Sequence, residues 1–228
     1  MNRLTIAIPT FRRPQDLKRA VIGVLAQAGE LVGGSGAEAR EPEGDAAGAI
    51  DADKTAGEVV CDVEVLVIDN DARSTERQTA LAAAADAGVA VRSSVEGAEG
   101  PEAVGLRYVV EERPGVAAVR NRALDETGGR DLLVFIDDDE DPEPGWLAAL
   151  VRLWASTGCQ AVAGPVIPVY EVEPEAWVRQ GEFFVRRTWP TGTVRPVAAS
   201  NCLLLDLGFV RRAGLRFDEA FGATGGED

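Results

Sequence analysis

The chain has 228 residues, 46% of them apolar and 27% charged, which suits one α/β domain with a buried core and excludes a disordered chain. A formal net charge of −15 removes any general attraction to nucleic acid or to an anionic membrane surface, so an anionic ligand needs local help from a metal, a helix N-terminus or placed arginines. With no histidine, Ser-His-Asp hydrolysis, HExxH proteolysis and histidine-ligated metals are excluded, and the chemistry falls to carboxylates, amides and arginines. In chain order, Leu4 to Ile8 is a nearly continuous apolar run closed by Pro9, as expected of a strand buried on both faces of a parallel sheet. Pro14 fits the first turn of a helix whose Leu17, Ala20, Val21, Val24 and Leu25 fall on one face. From about Gly29 to Cys61 the composition turns to Gly, Ala, Glu and Asp, which predicts a low-complexity insertion. Val63 to Ile68 predicts the second strand, ending in Asp69-Asn70-Asp71, and Thr75 to Ala87 an alanine-rich helix. Val89 to Val91 and Tyr108 to Val110 are weaker strands around a polar loop at Glu96 to Glu102. Val116 to Thr127 predicts a helix, Leu132 to Ile136 the clearest strand, Trp146 to Ser156 a helix, and Ala161 to Val169 and Val197 to Leu205 two further strands.

This alternation of β and α predicts a doubly wound α/β sheet. In such sheets ligands bind outside the carboxyl ends of the strands, where Asp69 and Asp137 to Asp139 fall. Three adjacent aspartates repel one another unless something positive sits among them, and carboxylate oxygens suit hard dications such as Mg²⁺ or Mn²⁺. The competing reading is a solvated acidic turn shared with Glu140, Asp141 and Glu143. An EF-hand is excluded, because its sixth position is Pro142 where glycine is required and its twelfth is Ala148 where glutamate is required. Cys61, Cys159 and Cys202 form no CxxC pair and suggest neither a disulfide framework nor a zinc site. Met1 runs straight into an apolar strand and no stretch approaches the roughly 18 apolar residues of a membrane span, so the expected setting is soluble and cytoplasmic.

Five segments occur in order: Ile8-Pro9-Thr10-Phe11-Arg12-Arg13-Pro14, Val67-Ile68-Asp69-Asn70-Asp71, Arg120-Asn121, Phe135-Ile136-Asp137-Asp138-Asp139-Glu140 and Gly225-Gly226-Glu227-Asp228. Together they resemble the family 2 glycosyltransferases, most of all bacterial enzymes of exopolysaccharide (succinoglycan-type) assembly. The resemblance implies a single GT-A type nucleotide-diphospho-sugar transferase domain over residues 1–228, interrupted by the insertion at about 29–61. It implies that Pro9, Thr10 and Phe11 hold the nucleotide base and ribose, with Asp69 or Asn70 bonded to the base and Arg120 and Asn121 facing the donor. Asp137 and Asp139 would form the DxD pair holding Mn²⁺ or Mg²⁺, with Asp138 beside them at the donor. Asp228 would be the base that deprotonates the acceptor, set against the plainer reading of a charged chain end. Family members continue past the Glu-Asp pair, so a truncated C-terminus is expected.

The implied reaction is inverting transfer from a UDP-linked nucleoside diphosphate sugar to a glycan or lipid-linked saccharide acceptor, at the inner face of the membrane with at most peripheral association. Two alternatives stand beside it. A sugar-phosphate nucleotidyltransferase shares the sheet and the metal carboxylates but normally has a glycine-rich basic loop after the first strand, where this chain has Pro-Thr-Phe-Arg-Arg-Pro. An inactive nucleotide-sugar-binding module is the other. Trp177, Phe183, Phe184 and Trp189 suit core or flap packing better than stacking on a sugar, and Ser200-Asn201 is a weak candidate near the acceptor.

Overall fold

The computed structural model describes residues 2–33, 60–92 and 104–222. Seven strands form one sheet: β1 (Asn2–Thr10), β2 (Val60–Asp69), β3 (Ala90–Val91), β4 (Val104–Val110), β5 (Leu132–Ile136), β6 (Ala161–Ala163) and β7 (Cys202–Asp206), in the spatial order β3-β4-β2-β1-β5-β7-β6. The strands β3, β4, β2, β1 and β5 run parallel, while β7 is antiparallel to both β5 and β6. The described helices are α1 (Pro14–Val32), α2 (Arg77–Asp86), α3 (Val116–Glu126), α4 (Trp146–Thr157), α5 (Ala176–Gly181), α6 (Leu207–Ala213) and α7 (Glu219–Gly222).

The period-two alternation of the strands explains the two cores. Leu4, Ile6 and Ile8 of β1, with Val63, Val65 and Val67 of β2 and Val134 of β5, pack with Leu17, Val21 and Val24 of α1 and Leu147 of α4. The intervening Ala7, Leu66, Ile68, Leu133 and Phe135 pack on the opposite face with Val119 and Ala123 of α3 and Leu207 of α6. Because both faces are covered, the strands read as unbroken apolar runs, and all five residues of β5 are buried. Phe135 also meets Phe217 edge to face at 5.7 Å.

Several boundaries differ from the sequence reading. The α1 helix continues past Gly29 because Leu31, 2% exposed, extends its apolar face, and β2 already begins at Val60; residues 34–59 of the expected insertion and 93–103, which contain the loop expected at Glu96 to Glu102, lie outside the described residues. The β4 strand spans seven residues, not three, since Arg107 is buried in it as an ion pair with Glu64 and breaks the apolar run without breaking the strand. The strand expected over Ala161 to Val169 stops at Ala163, where Pro165 and Pro168 remove ladder donors. The last strand is Cys202–Asp206 and does not reach back to Val197, because Val197, Ala198 and Ala199 are exposed, Val197 at 72%. The α6 helix that follows is capped by Asp206, whose carboxylate accepts from Phe209 N at 2.7 Å, and ends at Gly214 with φ 63°.

Candidate functional site

Four parallel strands, β4, β2, β1 and β5, deliver their carboxyl ends to one edge of the sheet, and the antiparallel β7 begins there. That edge collects Thr10, Asp69 to Asp71, Glu111, Asp137 to Glu140 and Asn201. The ladder places Thr10 opposite Asp69 and Asp69 opposite Val110, so the polar groups arrive at one level.

The acidic cluster is sorted by depth. Asp138 is buried and turned inward, accepting from the Thr10 hydroxyl at 2.7 Å and from Arg13 Nη1 at 3.3 Å. Burial pushes its carboxyl above the usual aspartate range, against the opposing pull of Thr10 and Arg13. Asp139 is exposed and accepts from the same Arg13 nitrogen at 2.7 Å. Glu140 accepts from Asn201 Nδ2 at 2.8 Å and from Asp137 N at 3.4 Å, and burial next to Asp137 pushes its carboxyl up to about 8, which leaves it mostly protonated at pH 7. The mutual repulsion of the aspartates, expected from sequence to call for a dication, is relieved in part by Arg13, which reaches both Asp138 and Asp139.

Among the described residues no group of three or more acidic or cysteine side chains converges to enclose a metal. The donor set Asp137 and Asp139 instead suits a hard dication that brings oxygen ligands with it, such as phosphate oxygens and water. Two carboxylates at an open strand edge leave coordination positions for them.

Asp69 is fully buried and bonded to protein: its carboxylate accepts from Asp71 N at 2.8 Å, from Glu76 N at 3.4 Å and from the Tyr108 hydroxyl. Burial and the Asp69 charge drive the Tyr108 phenol far above its ordinary range, so it remains a donor. Asn70 places its whole amide on the loop between β4 and α3, donating to Glu111 O at 2.8 Å and Arg113 O at 2.7 Å and accepting from Gly115 N at 3.0 Å. Gly115, at φ 111°, sits in a region that side chains avoid and opens α3. Both residues expected at the base thus tie the carboxyl end of β2 to α2, β4 and the loop before α3.

Pro9 is half-buried within β1, and Phe11 projects from its end, 51% exposed, with the Arg12 guanidinium 4.7 Å from the ring centroid. Arg12, at φ 56°, donates to Asp71 Oδ2 at 2.8 Å and holds that carboxyl below the usual range. Arg120 is buried with its guanidinium 5.8 Å from the Phe217 ring, and Asn121 both donates to Phe217 O and accepts from Phe217 N, each at 2.9 Å. This pair fixes the segment that leads toward the C-terminus; Asp228, with Gly225 to Glu227, lies outside the described residues. The sequence reading quoted Arg12 and Arg13 within a motif but gave them no role. Two cations directly after a buried strand, in a chain this acidic, were the available signal.

Comparison with known proteins supplies the family. A family model described as glycosyl transferase family 2 matches residues 60–204, from β2 through most of β7, a stretch that includes Asp69, Asn70 and the acidic cluster. The succinoglycan biosynthesis protein ExoM of Rhizobium meliloti (strain 1021) is 34% identical over 149 residues, covering 63% of this chain and 46% of that protein. The mannosyltransferase PcManGT from Pyrobaculum calidifontis, solved in complex with GDP-Man and Mn²⁺, superposes with TM-score 0.56 at 18% identity over 93% of this chain and 47% of its own. Residues 1–349 of S. aureus TarS superpose with TM-score 0.56 at 12% identity over 97% of this chain and 52% of that one. The chain thus spans about half the length of these relatives. The architecture is that of the GT-A glycosyltransferases, and the chain belongs to glycosyl transferase family 2.

Proposed function

We propose that this chain is a metal-dependent, inverting glycosyltransferase of polysaccharide synthesis, which moves a sugar from a UDP-linked donor to a glycan or lipid-linked saccharide at the cytoplasmic face of the membrane. The observation that carries the reading is the depth-sorted acidic cluster at the carboxyl edge of the sheet. Asp138 is anchored by Thr10, so its neighbours Asp137 and Asp139 are held at the rim where a donor diphosphate would lie. A fold shared with a protein solved with GDP-Man and Mn²⁺ supports a nucleoside diphosphate sugar and a dication.

In this reading Asp137 and Asp139 hold Mn²⁺ or Mg²⁺, which supplies Lewis-acid stabilisation of the departing diphosphate. Pro9, Thr10 and Phe11 form the base and ribose wall, which Asp69 and Asn70 brace. Arg120 and Asn121 face the donor from α3. Asp228 takes the acceptor proton, and no histidine is required. Inversion follows from a single displacement with one carboxylate base.

Calorimetric titration with UDP, with and without Mn²⁺, tests the donor site. Manganese is expected to strengthen UDP binding, and Asp139→Ala to reduce that manganese-assisted affinity by about tenfold or more. An unchanged affinity in a folded variant would sink the metal assignment.

A further inference from the structure

The chain between β6 and β7 leaves and re-enters the sheet at the edge that carries the acidic cluster. At its start Gly164 N donates to Cys202 O at 2.9 Å, and at its end Asn201 holds Glu140. Between these feet Val166 packs against the core but the aromatics do not, which corrects the reading of them as core. Every residue from 181 to 199 is exposed, and α5 buries none of its residues. Trp177 is 62% exposed, Phe183 65%, Phe184 54% and Trp189 48%.

The aromatic side chains meet one another instead of the interior. Trp177 and Phe183 are 5.9 Å apart, Tyr170 and Phe184 6.2 Å, and the Arg195 guanidinium lies 3.8 Å over the Trp189 ring. The acids Glu171, Glu173, Glu175 and Glu182 fall in the first half, where Glu173 pairs with Arg179 and Glu175 accepts from the Trp177 indole at 2.7 Å. From Phe183 through Ala199 there is no acid at all, and Arg186, Arg187 and Arg195 are all exposed.

An apolar, aromatic and purely basic stretch stands out in a chain of net charge −15. Large exposed apolar patches mark contact surfaces. Aromatic rings and arginines together match the interface of an anionic bilayer, where rings sit at headgroup level and guanidinium groups meet phosphates. A second copy of the chain is a poorer occupant, since an isologous contact through this segment would set Arg186, Arg187 and Arg195 against the same arginines. The net negative charge does not forbid a membrane, because screening at physiological salt confines it to about 8 Å, so the segment nearest the lipid decides.

We propose that residues 183–197 dock peripherally on an anionic phospholipid bilayer and so keep the acidic edge of the sheet near the membrane without touching it. The purpose of such docking rests on the lipid-linked acceptor proposed above, whereas the docking itself is measured without donor or acceptor, so the two fail separately. The test is co-sedimentation and tryptophan emission with vesicles of phosphatidylcholine alone or mixed with phosphatidylglycerol. The wild-type chain is expected to bind the mixed vesicles only, with a blue shift in emission and a loss of binding as salt rises. Arg186→Ala combined with Arg187→Ala should weaken binding about 25-fold, at about fivefold per arginine. Trp189→Ala should shrink the blue shift, and Arg77→Ala, on α2, should change neither reading. Equal behaviour towards both vesicle types overturns the proposal in the wild-type chain alone, whatever the variants do. So does binding that survives the double substitution, a self-association that the same substitutions abolish, or a blue shift produced by soluble oligosaccharide in place of vesicles.

Discussion

Thr10 and Asp138 lie 128 residues apart in sequence yet share a hydrogen bond of 2.7 Å between neighbouring strand ends, and this contact sets the depth of the acidic cluster. A buried carboxylate that loses a donor bears a desolvation cost of about 1–3 kcal/mol. Thr10→Val keeps the side-chain volume and removes the donor, so the variant should lose about that much stability in urea unfolding, with the Asp138 carboxyl driven higher still. Loss of less than a few tenths of a kcal/mol would show that Arg13 alone suffices. Residue-level chemistry was only partly legible in the sequence. The aspartates announced themselves by following an apolar strand, but their counter-charge comes from Arg13 on the loop after β1, and no spacing rule links those positions. The contacts of Asp69 and Asn70 with Tyr108, Glu111 and Gly115 were likewise beyond the reach of the sequence, because they join residues 39 to 45 positions apart.

The sheet also contains a buried ion network at the level of β2 and β4. Arg107 makes a two-pronged contact with Glu64 at 3.0 and 3.2 Å and pairs with Glu126 of α3, while Arg130 lies 3.5 Å from Glu64 and pairs with Asp62. Removing Glu64 leaves Arg107 only Glu126 and Arg130 only Asp62 as acidic partners in low dielectric, a weakening that costs at most the ~3–5 kcal/mol of a fully broken buried pair. Glu64→Ala should therefore destabilise the fold by up to that amount in denaturant titration, more than Glu64→Gln, which keeps a hydrogen-bond acceptor. Equal effects would mean that the charge alone, not packing or the hydrogen-bond acceptor, is what Glu64 supplies. This network explains why β4 was under-read: Gly105 and Arg107 interrupt the apolar pattern on which strand recognition depends. Strand β5 shows the opposite case, since burial on both faces left no polar residue to blur its ends.

Over the whole molecule, the order of motifs along the chain was enough to predict the doubly wound sheet and the edge where they meet, because parallel strands send all their carboxyl ends the same way. The antiparallel β7 and the exposed segment before it were not foreseen, since their polarity relative to β5 is set by tertiary packing. Acid response is likewise a property of the assembled chain. Arg12, Arg113 and Arg216 hold Asp71, Glu111 and Asp125 below the ordinary carboxylate range. Each such group contributes stability above its unfolded value, near pH 4, and that contribution disappears as pH falls through the lower folded value. The thermal midpoint of Arg12→Ala should thus lie below wild type at pH 7 and converge on it as the solution is acidified below pH 4, as followed by circular dichroism. A gap that persists under acid would assign the loss to the Arg12 contact with Phe11. A last consequence belongs to Gly164, where a methyl group would come within 2.4 Å of the Cys202 sulfur. Only glycine lets the two feet of the segment stand on one rung. A loop tethered at a single rung passes little strain into the strands beneath it, so substitutions along its length should leave the sheet and the acidic edge undisturbed.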